Sequence, residues 1–467
     1  MSTKIQLKEL SKIGYTDNVA RTLATMIISK HCKHIKKDEI INTLIDLQDN
    51  PQEYLNNEVW NKLAEHFCPQ DESIAYNVYD LNEHPGFYKT YGGKNIETLA
   101  KQQMNMAMRL PIAMQGALMP DAHAGYGLPI GGVLAVNNAV IPFAVGMDIG
   151  CRMALSVFDV KPDFLKRYAY QIKEALKAYT HFGMDGGLGF KQEHEVIDRA
   201  EFASTDLLKS LHGKAIRQLG TSGGGNHFVE FGELELFEDN VLNLPAGNYL
   251  ALLTHSGSRG LGAEIARHYS RIAKEVCKLP REAGHFAWLD MNTEEGQEYW
   301  LSMNLAGDYA KACHDRIHIN LAKALGLKIL GTVENHHNFA WKETLADGST
   351  AIVHRKGATP AHKGVAGIIP GSMSTPGYLV CGNGVNESLN SASHGAGRAM
   401  SRQKAKNSFT VSYMKKLLSA SGVSLIGGST EEISQAYKDI ERVMDVQKDL
   451  VDIHGKFMPR IVRMNKE

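Results

Sequence analysis

Apolar residues recur at helical spacing through the first 75 residues, as Ile40, Ile41, Leu44 and Leu47, and again as Val59, Trp60 and Leu63. Glycine is scarce there, and Asn50-Pro51 separates two such helices. Residues 1–75 are thus predicted to form a small N-terminal helical module. From about residue 90 the texture changes: glycine becomes frequent, and short β-rich runs such as GGVLAV, NYLALLTH and GYLVCG alternate with loops and long helical stretches. Helical spacing predicts helices over roughly 160–178, 259–278, 294–325 and 431–450. The alternation predicts an α+β fold, with one large domain over 90–467 and neither an internal repeat nor a low-complexity linker.

Composition narrows the class. With 467 residues, 43% of them hydrophobic and 22% charged, the chain can bury one large core or two smaller ones. Lysine plus arginine equals aspartate plus glutamate at 51 each, so an anionic partner must be held by a local cluster rather than a global field. KHCKHIKK at 30–37 is the basic run of the N-terminal module, either a solvated helix face or a patch that touches RNA. The six cysteines are scattered without a paired framework, which suits a reducing compartment and makes the cytoplasm the expected location. No apolar run approaches the ~20 residues of a membrane span, and the N-terminus has no signal-peptide core, so a soluble protein without a membrane partner is expected.

The chemistry-bearing residues cluster in glycine-rich loops. MPDAHAGYGLPIGG, VGMDIGCRM, TSGGGNHFVE, THSGSRGLG and SASHGAGR each place His, Asp or Cys close to glycine, which a core does not require, and VENHHNFAW adds a histidine pair. In VGMDIGCRM, Asp148 and Cys151 lie three positions apart, so a carboxylate and a thiolate can converge on one cation; an inert buried cysteine beside a capping aspartate explains the pair equally well. His227, His255 and His337 offer further ligands, and a shared thiolate suits two adjacent metals. Softness of this donor set alone favours zinc over manganese. In SASHGAGR, His394 sits among side chains with little packing value, either a turn residue or an accessible imidazole.

Taken in order, DIGC, GGGNHF, HSGSRG, HHN, HRKGAT, IIPGSM and SHGAGR resemble the RtcB family of GTP-dependent RNA ligases. The resemblance runs from about residue 90 to the C-terminus and leaves the N-terminal module outside it. It implies joining of RNA 3′-phosphate or 2′,3′-cyclic phosphate ends to 5′-hydroxyl ends, in tRNA splicing or RNA repair. It further implies that Asp148, Cys151, His227, His255 and His337 bind two Mn2+ ions, rather than zinc, with Cys151 as the bridge. His394 matches the histidine that attacks the α-phosphate of GTP and becomes guanylylated, and GMP is expelled when the ends are sealed. Asp121, in a segment that also carries His123 and borders the metal centre, is expected to orient a ligand or receive a proton. Asn226, Phe228, Glu230, Ser372, Tyr437 and Lys466 match nucleotide-contacting positions, Glu230 as the acceptor that reads guanine.

Arg259, Arg355 and Lys356, and then Arg398, Arg402, Lys404 and Lys406, offer positive charge for phosphates and an RNA backbone. The implied partners are RNA bearing these ends, GTP and an archease-type activator. Two departures stand out: Gly377 occupies a place where a serine is expected, and Arg152 replaces a glycine, putting a bulky cation next to Cys151. Two other readings remain, a dinuclear metal-dependent phosphoesterase, which needs the ligands but not His394, and an inactive RNA-binding paralogue.

Overall fold

The computed structural model describes residue 5 and residues 7–32, 34–68, 76–183 and 186–465. The chain divides into two compact units, Met1–Ala75 and Tyr76–Glu467. In the first, the helices Asn18–His31, Lys37–Asp49 and Asn61–Phe67 bury Ala24, Leu44, Leu47 and Leu63 in a common core. Asp17 caps the first of these by accepting from the Ala20 N–H at 2.8 Å. Pro51 ends the second and opens a short 3-10 turn, Pro51–Tyr54.

The second unit is α+β. Its larger sheet runs, edge to edge, Ile329–His336, Arg152–Phe158, Gly247–Ser256, Phe228–Leu236, Val451–Met464, Gly377–Gly382 and Ala366–Ile369, with Ser424–Ile426 alongside Val451–Met464. A five-stranded sheet orders Asn338–Thr344, Thr350–Lys356, Ile130–Val136, Ala113–His123 and Tyr88–Thr90. The edge strand Ile329–His336 of the first sheet and the edge strand Asn338–Thr344 of the second are consecutive, so His337 is the single residue between the sheets.

Two long helices follow the predicted spacing closely, Arg259–Val276 and Glu294–Leu325; they pack on each other, and the second also lies on the strands Gly247–Ser256 and Arg152–Phe158 of the larger sheet. Thr293 caps this second helix by accepting from Gly296 N–H. Its buried His314 and His318 are both hydrogen-bonded to Thr254 Oγ1, at 2.6 and 2.8 Å, tying the helix to the strand that carries His255. The predicted helix at 160–178 is split into Phe164–Arg167 and Ala169–Tyr179 by the non-helical Tyr168.

The helix expected over 431–450 is not formed. Its place is taken by two 3-10 turns, Thr430–Glu432 and Ser434–Ala436, and a short helix, Ile440–Asp445, before the strand Val451–Met464 begins. Tertiary bonds override the local periodicity. Lys438 N–H donates to Gly397 O at 2.9 Å, Lys438 Nζ donates to Ala122 O at 2.7 Å, and Arg398 pairs with Glu432 at 3.1 Å. Among the described residues no helix is long and apolar enough to cross a membrane.

Candidate metal and nucleotide site

Adjacent strands of the larger sheet deliver the metal-type donors. Cys151 precedes the strand Arg152–Phe158, His227 precedes Phe228–Leu236, His255 lies near the end of Gly247–Ser256, and His337 is the inter-sheet residue. Cys151 Sγ lies 3.2 Å from His255 Nε2 and 3.5 Å from His227 Nε2. His255 Nε2 is 3.3 Å from His337 Nε2, and His227 Nε2 is 3.0 Å from Asp148 Oδ2. The donors form two triplets, Cys151–His255–His337 and Asp148–Cys151–His227, each within 4.8 Å and sharing the sulfur. Such a buried cluster can hold metal ions.

Backbone carbonyls orient the rings for that purpose. His227 Nδ1 is hydrogen-bonded to Ser222 O at 2.8 Å and His255 Nδ1 to Asn226 O at 3.2 Å, which places N–H at Nδ1 and leaves each Nε2 lone pair facing the cluster. Burial raises the Cys151 thiol well above its usual range and lowers His255 to about 3. Burial also pushes the Asp148 carboxyl up, but the hydrogen bond and charge of His227, with Arg259, outweigh it and hold the group down to about 2. The imidazole and carboxylate are therefore already in their ligating forms, and a cation would draw the proton from the thiol.

His394 follows the short strand Ser391–Ser393 and enters the same cavity. Its Nδ1 is hydrogen-bonded to Asp121 Oδ2 at 2.7 Å, and its backbone N–H donates to that oxygen at 3.1 Å. Among the described residues Nε2 makes no hydrogen bond, and the ring centroid lies 5.0 Å from that of His337. Asp121 is fully buried; burial alone would raise its carboxyl, but the charge and hydrogen bond of His394 hold it below the ordinary value. Gly397 makes the close approach possible. Its φ is +71°, and a Cβ there would lie 2.1 Å from Asp121 O.

A cavity of about 330 Å³ brings together His394, the five donors above, and Asn226, Phe228, Glu230, Ser372 and Tyr437. Glu230 is buried, and among the described residues its carboxyl has no hydrogen-bond partner, so burial raises its pKa well above the usual range. Ser372 Oγ is hydrogen-bonded to Thr375 Oγ1 at 2.8 Å. The Tyr437 hydroxyl donates to Glu432, and the Arg398 guanidinium lies 5.2 Å from its ring. Gly377 lines the cavity with Pro370 Cα 3.3 Å from the position a Cβ would take. Lys466 lies outside the described residues.

Three expectations about charge change. Arg152 alternates away from Cys151 along its strand: its buried guanidinium donates to Gly307 O at 2.8 Å and Glu334 at 3.0 Å rather than standing among the metal-type donors. Arg355 is not presented to phosphate, because it is fully buried and forked onto Glu343, with further bonds to Ser391 and Leu389 O. The basic run after His394 is largely answered within the fold, where buried Glu431 and Glu432 pair with Arg398, Arg402 and Lys406. Sequence reasoning left Asn338 unassigned. It lines the cavity, accepts from Gly357 N–H at 2.9 Å and donates to Asp148 O at 3.4 Å, bracing the loop that carries Asp148; its adjacency to His337 in HHN was the available signal.

The model of the family described as tRNA-splicing ligase RtcB matches residues 102–465. The chain is 32% identical over 391 residues to RNA-splicing ligase RtcB1 of Escherichia coli (strain ATCC 25922), covering 77% of this chain and 93% of that protein. It is 31% identical over 420 residues to tRNA-splicing ligase RtcB of Nanoarchaeum equitans, covering 75% of this chain and 87% of that one. Asp121, the donor cluster, Glu230 and His394 all fall inside the matched segment, and this chain belongs to the RtcB ligase family.

Proposed function

We propose that the protein is a GTP-dependent RNA ligase that seals 3′-phosphate or 2′,3′-cyclic phosphate ends to 5′-hydroxyl ends through a guanylylated His394. One juxtaposition carries this reading: a histidine held at Nδ1 by a buried carboxylate stands 5.0 Å, ring to ring, from a member of a thiolate-sharing donor cluster. A phosphoesterase would use the cluster but has no need of the Asp121–His394 pair.

The donor set fits two divalent cations. Asp148, Cys151 and His227 would hold one, and Cys151, His255 and His337 the other; family resemblance makes manganese the ion proposed. When bound, they would neutralise charge on the triphosphate and on the RNA phosphate. Asp121 accepts from Nδ1–H and keeps the Nε2 lone pair available. Nε2 attacks the α-phosphorus of GTP, the N–P bond forms and pyrophosphate leaves. A 2′,3′-cyclic end first adds water, breaking the 2′ P–O bond to leave a 2′-hydroxyl and a 3′-phosphate; the RNA 3′-phosphate then displaces His394 and takes the guanylate, and the 5′-hydroxyl attacks that activated end and expels GMP.

Glu230 accepts from N1–H and the N2 amino group of guanine, which adenine cannot match. Asn226, Phe228, Ser372 and Tyr437 enclose the same nucleotide, and Lys466 joins them on the strength of its motif. The setting is tRNA splicing or RNA repair in the cytoplasm, with an archease-type activator as partner.

The test is incubation with α-labelled GTP and Mn2+, followed by a search for an acid-labile covalent label. Wild-type protein should take up label and His394→Ala should not, while retaining bound metal and still sealing RNA supplied with a 3′-guanylate cap. Labelling of His394→Ala would end the nucleophile assignment, and loss of metal would make His394 a ligand instead. Cys151→Ala should abolish labelling; activity restored best by zinc would refute manganese.

A further inference from the structure

The turn between the strands Ala113–His123 and Ile130–Val136 carries a tyrosine, Tyr126, that is 75% exposed. The turn begins and ends on the cavity, since His123 and Ile130 both line it. It is pinned from several sides. Gly125 N–H donates to Gln103 Oε1 at 3.1 Å, Ala124 N–H donates to Glu97, and Lys356 Nζ, itself a cavity-lining group, donates to Tyr126 O. Gly127, at φ +68°, lets the turn press on the neighbouring segment, where a Cβ would come within 3.3 Å of both His285 and Phe143.

Behind Tyr126 the rings continue. His285 stacks on Phe143 at 4.6 Å, and the Tyr126 ring meets His285 edge-on at 6.4 Å. Two ammonium groups flank the group, Lys356 Nζ at 5.2 Å and Lys274 Nζ at 5.8 Å from the Phe143 centroid. An exposed aromatic ring thus stands on a turn pinned by hydrogen bonds, backed by further rings, whose two ends, His123 and Ile130, line the cavity.

From this placement we infer that Tyr126 is a stacking platform for one nucleobase of the RNA near the ends being joined. The inference rests on the ligase reading above and adds a contact that positions the strand. A base of any identity can stack on the ring, while the exposed Lys274 complements an adjoining phosphate. A protein partner fits the surface less well, because stable protein interfaces bury on the order of a thousand Å² rather than one ring edged with lysines. Stacking costs little here, since the turn is already fixed by its hydrogen bonds.

The platform predicts a pattern across RNA substrates. Short 3′-phosphate and 5′-hydroxyl RNAs are prepared with each of the terminal bases removed in turn, leaving an abasic site, and binding is read by fluorescence anisotropy. For wild-type protein, one abasic position should weaken binding about 5- to 100-fold. Tyr126→Ala should bind intact RNA more weakly by a similar factor and become indifferent to that position, whereas Tyr126→Phe should behave as wild type. Thermal unfolding controls for the fold. Equal binding of intact RNA by wild type and Tyr126→Ala, or abasic sensitivity surviving in Tyr126→Ala, would overturn the platform. Guanylylation by GTP is measured separately: its failure in wild type with the stacking pattern intact would sink the ligase reading and leave Tyr126 as an RNA contact.

Discussion

The pair Asp121–His394 sets the chemistry at the smallest scale, because a single carboxylate oxygen accepts both from the ring and from the backbone of the same histidine. The carboxylate selects the tautomer and fixes the ring plane, as buried carboxylates do in other histidine-based sites. Asp121→Asn should keep the metal-type cluster but lower the single-turnover rate of guanylylation by about a hundred- to ten-thousand-fold; a rate within twofold of wild type would refute the orienting role. Glu230 is a second residue whose environment costs stability. Its carboxyl is buried and unpaired among the described residues, and its pKa is raised, so the ligand-free fold favours the neutral form. The fold bears no such cost at low pH, where the group is protonated in both states, and bears it increasingly as pH rises from the ordinary glutamate range through the raised folded value. Glu230→Gln should therefore be more stable than wild type at neutral pH in chemical denaturation, with the advantage gone below about pH 4. The same change should narrow the preference for GTP over ATP by roughly tens to hundreds.

At the scale of elements, the site depends on where strands end and on which loops can approach them. The helices Arg259–Val276 and Glu294–Leu325 were legible because their apolar faces are long and periodic, and Thr293 marks a start. The segment 431–450 was not, because what shapes it is non-local: the carbonyls of Gly397 and Ala122 and the guanidinium of Arg398 come from more than thirty residues away in sequence. Most of the metal-type donors could be found individually close to glycines, and His337 in a histidine pair, yet their convergence on one sulfur follows from strand order, which no local pattern encodes. Arg355 failed for the complementary reason: its motif resembles a phosphate binder, but the facing strand supplies Glu343 and buries the pair. The loop after His394 has its own requirement. Gly397→Ala places a Cβ against the Asp121 carbonyl at a left-handed φ, at a cost of at least ~1–2 kcal/mol. Chemical denaturation should show that loss, and guanylylation should fall with it; an unchanged midpoint and rate would mean the loop relaxes freely.

Across the whole molecule, two cores are built from separate stretches of chain. Among the described residues the helical unit's buried apolar cluster runs from Leu10 to Ala64, and the clusters around the sheets are built from residues beyond Tyr76. Among the described residues the groups assigned to the chemistry, from Asp121 to Tyr437, lie in the second unit, as does the family match at 102–465. A chain beginning at Tyr76 should consequently unfold in one cooperative transition and take up guanylate at the full-length rate. Failure of that fragment to fold would show that the helical unit completes its core. Metal provides a second measurement on the same fragment. His337 joins the two sheets and its Nε2 stands against a donor from the larger one, so bound cations would cross-link both sheets as well as serve the reaction. Ligands that bind only the native state stabilise it by mass action, about 2.7 kcal/mol at a hundredfold excess over Kd. Chelation should therefore lower the unfolding midpoint of the wild-type fragment and leave that of a Cys151→Ala fragment nearly unmoved. Equal sensitivity of the two to chelator would place the stabilising metal somewhere other than the shared-thiolate cluster.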